Sequence, residues 1–155
     1  MPRPRRLGTT AIASSGVSSS TNPYPGCSLR KSRYQAARYI KGWGRPGDTV
    51  LIAIDDGFPI GAAWYRLFRK DQPGYGFVDE ETPELAIAVV PSRRGRGIGE
   101  ALIEALSERA RADGFTALSL SVERGNEALE TFYGQHGFVV FGEGDEYSVT
   151  MRRAL

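Results

Sequence analysis

The chain has 155 residues, 41% of them hydrophobic and 25% charged, which fits one compact domain with a core of its own. A formal net charge of +2 is too small to imply a nucleic-acid or membrane partner. A single cysteine, Cys27, and a single histidine, His136, exclude an intrachain disulfide and a Cys/His zinc site within one chain. No apolar run approaches the roughly 20 residues of a bilayer span.

Residues 1–30 read as a flexible, basic, Ser-rich leader. Arg3, Arg5 and Arg6 precede Ala11-Ile12-Ala13, but Ser14, Ser15, Ser18, Ser19 and Ser20 interrupt the apolar stretch of about 7–15 residues that a secretory signal needs. The composition fits a cytoplasmic protein, with residues 31–155 as a single domain.

Ser32 is placed to cap a helix running to about Trp43, with Tyr34, Ala37 and Ile40 at helical spacing and Gly44, Pro46 and Gly47 stopping it. Thr49 to Phe68 reads as a β-hairpin turned at Asp56-Gly57. Asp71 to Pro83 is a polar, turn-rich surface excursion. Leu85 to Val90 is the next strand. Both of its faces are apolar, so it is expected to be central and covered on both sides. Pro91 ends it.

A helix follows from Ile98 to Ala112, with Ile98, Leu102, Ala105 and Leu106 as its buried stripe and Gly114 just past its end. Leu118 to Val122 alternates as a strand. Asn126 to Gln135 reads as a short helix ending near Gly137. Phe138 to Phe141 and Tyr147 to Met151 form a second antiparallel pair. The order helix, strand, strand, strand, helix, strand, helix, strand, strand gives an α/β fold, a mixed sheet with helices packed on it.

Chemistry concentrates between the Leu85–Val90 strand and the Ile98–Ala112 helix. A helix start offers N–H groups without intrahelical partners and the positive end of the dipole, and so it binds phosphate. Gly95, Gly97 and Gly99 let an anion approach the main chain, and Arg93, Arg94 and Arg96 add charge. A P-loop would need Gly-Lys-Ser/Thr, but Glu100 follows Gly99. A dinucleotide fingerprint fails at the same residue, and a hairpin precedes this strand instead of a parallel array. The plain alternative is a Gly-rich turn with solvated arginines.

Arg94-x-x-Gly97-x-Gly99 resembles the Arg/Gln-x-x-Gly-x-Gly/Ala signature of the GNAT acetyltransferase superfamily. Pro83 to Pro91 looks like that family's central strand. Asn126 through Phe138, with Tyr133 and Gly137-Phe138, is similar to its Asn…Tyr…Gly-Phe block. The resemblance covers roughly Thr49 to Met151. It implies a mixed, mostly antiparallel central sheet with helices on both faces and central strands that splay apart to admit the cofactor.

It also implies acetyl-CoA as co-substrate without a metal, and direct attack by a primary amine of a small molecule or protein. Arg94, Gly95, Arg96, Gly97, Ile98, Gly99 and Glu100 would hold the pyrophosphate. Ile87, Ala88 and Val89 would pair with the pantetheine arm, and Asn126 would bond the cofactor near the gap. Tyr133 would protonate the departing thiolate. A backbone N–H of Val89 or Val90 could meet the oxyanion.

The general base is the weakest part of the pattern. Some members carry a Glu on the strand before Asn126, but the place near Ser121 is not acidic, and Glu123 lies two residues further on. Glu84 is the best candidate, with Asp79, Glu80 and Glu81 as alternatives; for each, the plain reading is a solvated loop carboxylate. His136 fits a charge partner at a helix C-terminus better than a base. Residues 1–31 do not read as the strand and helix with which the family begins, which puts the acceptor pocket in question. Trp64, Arg66, Phe68, Tyr75 and Phe77 could line it.

Two rivals remain at this level. One is a non-catalytic acyl-CoA-binding module of the same fold, which loss of Tyr133 would have favoured. The other is a nucleic-acid binder using Arg3–Arg6 and Arg93–Arg96, which lacks a recognition helix or aromatic platform. A homodimer is compatible with the sequence.

Overall fold

The computed structural model describes residues 37–142 and 144–155. The strands are β1 (Asp48–Asp55), β2 (Phe58–Arg66), β3 (Glu84–Val89), β4 (Ala117–Glu123), β5 (Val139–Gly142) and β6 (Ser148–Ala154). The α-helices are α1 (Ile98–Ala112) and α2 (Glu127–Gln135). One sheet runs in the order β1-β2-β3-β4-β6-β5; β3 and β4 pair parallel and every other neighbouring pair is antiparallel. This is the expected mixed, mostly antiparallel sheet, with α1 bounded as the periodicity indicates.

Local chemistry explains the element ends. Asp56 and Gly57 both have positive φ, 48° and 82°, as a tight hairpin turn requires. The Asn126 side chain accepts a hydrogen bond from the Leu129 N–H at 3.2 Å and starts α2.

The crossovers β3-α1-β4 and β4-α2-β5 advance across the sheet in the same direction, so right-handed connections put both helices on one face. The two helices touch there: a Cβ on Gly99 of α1 would lie 3.3 Å from the Phe132 ring of α2. The core under them joins Leu102, Ile103, Leu106 and Ala110 of α1 to Tyr65, Leu85, Leu118, Leu120, Val122 and Met151 of the sheet. Of the expected stripe, Ile98 and Ala105 are only half-buried, and Ile103 and Ala110 take their place, because the buried face must meet α2 as well as the sheet.

The second face is covered differently. Among the described residues, the helix expected to reach Trp43 is a single 3₁₀ turn, Ala37–Tyr39, followed by turns; its start at Ser32 lies outside those residues. Two causes are visible. Gly42 and Gly44 take φ of 66° and 98°, which a right-handed helix cannot hold. The Arg66 guanidinium also takes the Arg38 carbonyl at 2.8 Å and the Gly42 carbonyl at 3.0 Å, the first of which a helix would need for itself.

Arg66 and Asp48 are paired at 3.0 Å, with side-chain exposures of 0% and 1%. Arg66→Met should therefore cost about 3–5 kcal/mol by leaving a buried carboxylate uncompensated. Urea unfolding should show most of that loss recovered when Asp48→Leu is added.

Strand β3 departs from its expected cover. Leu85 is buried, but Ala88 is exposed and Ile87 and Val89 are half-buried. The reason is the sheet itself, which opens beside this strand.

Candidate active site

Strands β3 and β4 meet at one Cα pairing, Glu84 with Ser119, beside which the Ser119 N–H donates to the Pro83 carbonyl at 3.0 Å. Beyond that point they part. The pairing of β3 with β2 decides which atoms face the opening. The Val90 N–H donates to the Ile60 carbonyl at 2.9 Å. Main-chain groups two residues apart on a strand point the same way, so Ala86 and Ala88 also face β2, opposite Trp64 and Ala62. Ile87 and Val89 turn theirs toward β4. Of the three residues expected to pair with an extended arm, Ala88 is thus committed to β2, and Val90 is removed as an oxyanion donor. Val89 remains.

The glycine segment lies at the mouth of this opening. A 3₁₀ turn, Pro91–Arg93, leads into an extended Arg94; Gly95 and Gly97 then both take φ of 75°, and α1 starts at Ile98. A Cβ on Gly95 would meet nothing within 4 Å, and one on Gly97 only the Glu100 carboxylate at 3.9 Å. These glycines are required by backbone conformation, and the space in front of them is open. A Cβ on Gly99 would instead press on Phe132, with Ile87 and Val89 side chains at 3.9 and 4.0 Å.

The arginines divide. Arg93 is tied to Asp55 at 2.7 Å, Arg94 reaches back to the Val89 carbonyl at 3.4 Å, and Arg96 is exposed. Glu100 is exposed in the first turn, where its charge suits the dipole and its N–H belongs to the helix start. The segment therefore presents glycine main chain, helix N–H groups and two movable guanidinium groups to one open volume, which fits a pyrophosphate.

On the helical face, Tyr133 is 7% exposed, edge-on to Phe132 at 5.2 Å and Phe138 at 5.8 Å between ring centroids. Burial pushes its phenol up to about 12. Phe132, a residue not singled out from the sequence, joins Gly99, Ile87 and Val89 at the opening. Asn126 caps α2 and borders an open cleft of about 480 Å³ shared with Glu123, Arg124, Gly125, Glu127 and Ala128. His136 ends α2 with Nδ1 3.3 Å from Glu104, so it partners a neighbouring carboxylate.

Glu84 is no solvated loop carboxylate. It is 5% exposed, at the closed end of the splay on the second face. The Tyr39 hydroxyl donates to its Oε1 at 2.8 Å and accepts from the Tyr75 N–H at 2.8 Å. Burial, and then the Glu84 charge, drives the Tyr39 phenol upward, so that hydroxyl stays a donor. The Gly74 backbone lies against the same carboxylate, leaving no room for a Cβ. Asp79, Glu80 and Glu81 are exposed, and Asp79 and Glu80 accept N–H groups of their own loop.

A second cavity, about 400 Å³, opens on this face between Tyr75, Phe77, Val78, Phe141, Asp145 and Thr150. Of the residues expected to line an acceptor pocket, Tyr75 and Phe77 line this cavity, whereas Arg66 is buried beside Asp48, Phe68 is buried against Tyr39, and Trp64 is half-buried in the sheet.

Comparison with known proteins agrees with this geometry. The profile described as the acetyltransferase (GNAT) family matches residues 17–138, beginning inside the segment read as leader. The L-methionine sulfoximine/L-methionine sulfone acetyltransferase of Pseudomonas aeruginosa is 36% identical over 100 residues, 64% of this chain and 55% of that protein. The L-2,4-diaminobutyric acid acetyltransferase of Nocardia farcinica is 37% identical over 86 residues, 54% of this chain and 39% of that protein. The chain therefore spans about half the length, or less, of these curated relatives.

Among solved structures, the ribosomal-protein-alanine N-acetyltransferase of Brucella melitensis superposes with a TM-score of 0.62 at 27% identity, covering 79% of this chain and 78% of that one. The PaiA N-acetyltransferase of Thermoplasma acidophilum, solved with coenzyme A, shares the fold with a TM-score of 0.58 at 21% identity, covering 70% and 62%. No described helix is long and apolar enough to cross a membrane. A parallel pair that splays beside a glycine cradle, carried on a profile match over most of the chain, makes this protein a member of the acetyltransferase (GNAT) family.

Proposed function

We propose that this protein is an acetyl-CoA-dependent N-acetyltransferase that moves an acetyl group to a primary amine by direct attack. The observation that carries the reading is the open glycine cradle at the mouth of the β3–β4 splay, one anion site and one strand edge in line. Main-chain groups of Gly95, Gly97, Gly99 and Glu100, with Ile98 at the helix start and the Arg94 and Arg96 side chains, hold the pyrophosphate. Ile87 and Val89 offer the strand edge to the pantetheine arm, a form of β-augmentation. Ala88 keeps that edge in register through β2, and Asn126 borders the same gap.

The thioester supplies an acyl carbon open to attack. Glu84 takes a proton from the acceptor ammonium so that its lone pair is free. The Val89 N–H stabilises the developing oxyanion. Tyr133 gives its proton to the departing sulfur, and a phenol held at about 12 is protonated at neutral pH, as an acid must be.

The two curated relatives are named for L-methionine sulfoximine or sulfone and for L-2,4-diaminobutyric acid, and we extend that class of small acceptor to this chain, acting in the cytoplasm. Acetyl-CoA at 100-fold over its Kd should stabilise the protein by about 2.7 kcal/mol, several degrees in Tm. The absence of any shift at millimolar acetyl-CoA would remove the reading. A screen of amines following free CoA then identifies the acceptor.

A further inference from the structure

Strand β4 carries an unexpected pair of hydroxyls. Leu118, Leu120 and Val122 point into the helical-face core, so Ser119 and Ser121 point to the second face. Ser119 is fully buried, and the Oγ atoms of both serines are buried without a hydrogen-bond partner among the described residues. A buried hydroxyl left in that state is costly, and ordered water is the common remedy.

Their neighbours have a direction. Ser119 is the register partner of Glu84 across the closed end of the splay. Ser121 is opposite Thr150 on β6, and Thr150 lines the second-face cavity. Same-face positions on a strand are about 6.6 Å apart, too far for a direct bond, so water has to span the gap between the two hydroxyls. The 74–77 loop roofs this row: a Cβ on Gly76 would lie 2.8 Å from the Ser121 nitrogen, and Gly74 backs Glu84.

We propose that Ser119 and Ser121 form a relay, with water between them, that carries the acceptor's ammonium proton from the Thr150 side of the cavity to the Glu84 carboxylate. This rests on the N-acetyltransferase reading and supplies the path between its base and its acceptor. One N–H bond of the ammonium breaks. Each hydroxyl or water accepts one proton and passes on another, and one O–H bond forms on Glu84. The amine is left neutral, and nothing is oxidised or reduced.

Among the described residues, the charged and titratable groups around the row are Tyr39 and Tyr75 in its cover, Arg66 opposite Glu84 on β2, Arg152 opposite Ser119 on β6, and Asp145 on the cavity wall beside Thr150, whose Oδ1 accepts from the Tyr147 N–H and the Ser148 hydroxyl. Arg66 is committed to Asp48 and Arg152 lies over the Phe141 ring. Both are cations and so do not compete with Glu84 for the proton.

Ser119→Ala and Ser121→Ala test the relay in the full chain, with acetyl-CoA and L-methionine sulfone, L-2,4-diaminobutyrate or the amine found by screening. Each should lower kcat/KM for the amine at least about tenfold at neutral pH, short of the 10²–10⁴ of a direct acid or base. The deficit should shrink as pH rises and solution supplies free amine. The acetyl-CoA Tm shift should be unchanged, and Ser121→Thr, which keeps the hydroxyl, should restore the rate.

An unchanged rate, a deficit equal at every pH, or a Thr variant as slow as Ala overturns the relay. A second readout needs no turnover. If Ser119 holds water against Glu84, Ser119→Ala lowers the Tm of the free protein; if its hydroxyl is a mere orphan, the alanine raises Tm and the relay is wrong. Failure of the wild type to release CoA with any amine would count against the function, whereas a rise in Tm for Ser119→Ala would overturn the relay on its own.

Discussion

Gly97→Glu should abolish the rise in Tm that acetyl-CoA gives the wild-type protein, a loss of at least about 100-fold in affinity, or 2.7 kcal/mol. Two effects add. Gly97 sits at φ 75°, where any side chain is strained by about 1–2 kcal/mol, so the free variant should already melt earlier. The new carboxylate would then stand in the volume assigned to the pyrophosphate, facing it with like charge. Gly97→Ala separates the two. Its Cβ would meet only Glu100, at 3.9 Å, so it keeps the strain without the charge. The alanine variant should melt earlier but retain a substantial acetyl-CoA shift. A full shift in Gly97→Glu would mean that the phosphates lie elsewhere.

That cradle was legible in the sequence because its causes are local. Glycines at positive φ, a strand ended by Pro91 and an amphipathic run beginning at Ile98 are properties of neighbours in the chain. The hairpin at Asp56-Gly57 and the cap at Asn126 were readable for the same reason. The second face was not. Glu84 reads as a loop carboxylate until Tyr39, 45 residues away, bonds to it and Gly74 closes over it. Arg66 reads as a pocket residue until Asp48 neutralises it and its guanidinium takes the Arg38 carbonyl, which would have extended the Ala37–Tyr39 turn. Ser119 and Ser121 read as the polar half of an alternating strand, and their hydroxyls are buried once the 74–77 loop packs against the β4 backbone. In each case a contact distant in sequence outweighed the local pattern. The proposed donor half of the site is thus written locally, whereas the proposed acceptor half is assembled by the fold.

Tyr133→Phe should lower kcat by about 10²–10⁴, the range for loss of a positioned acid, while the acetyl-CoA Tm shift stays within a degree or so of the wild type. The substitution removes one oxygen and keeps the ring, so the edge-on contacts with Phe132 and Phe138 survive, and the fold should survive with them. Burial keeps the phenol protonated up to about 12, so the acid is present throughout the range in which the enzyme can be assayed. The deficit of Tyr133→Phe should therefore be the same at pH 7 and pH 10. That is the opposite of the serine variants, whose deficit should shrink as pH rises. The contrast has a structural basis: Tyr133 lies on the helical face, where the proposed reaction releases the sulfur, and Glu84 with its serines lies on the second face, where the proposal brings in the nitrogen. Equal loss of turnover and of cofactor binding in Tyr133→Phe would make this residue part of the binding wall and leave the thiolate to be protonated by solvent.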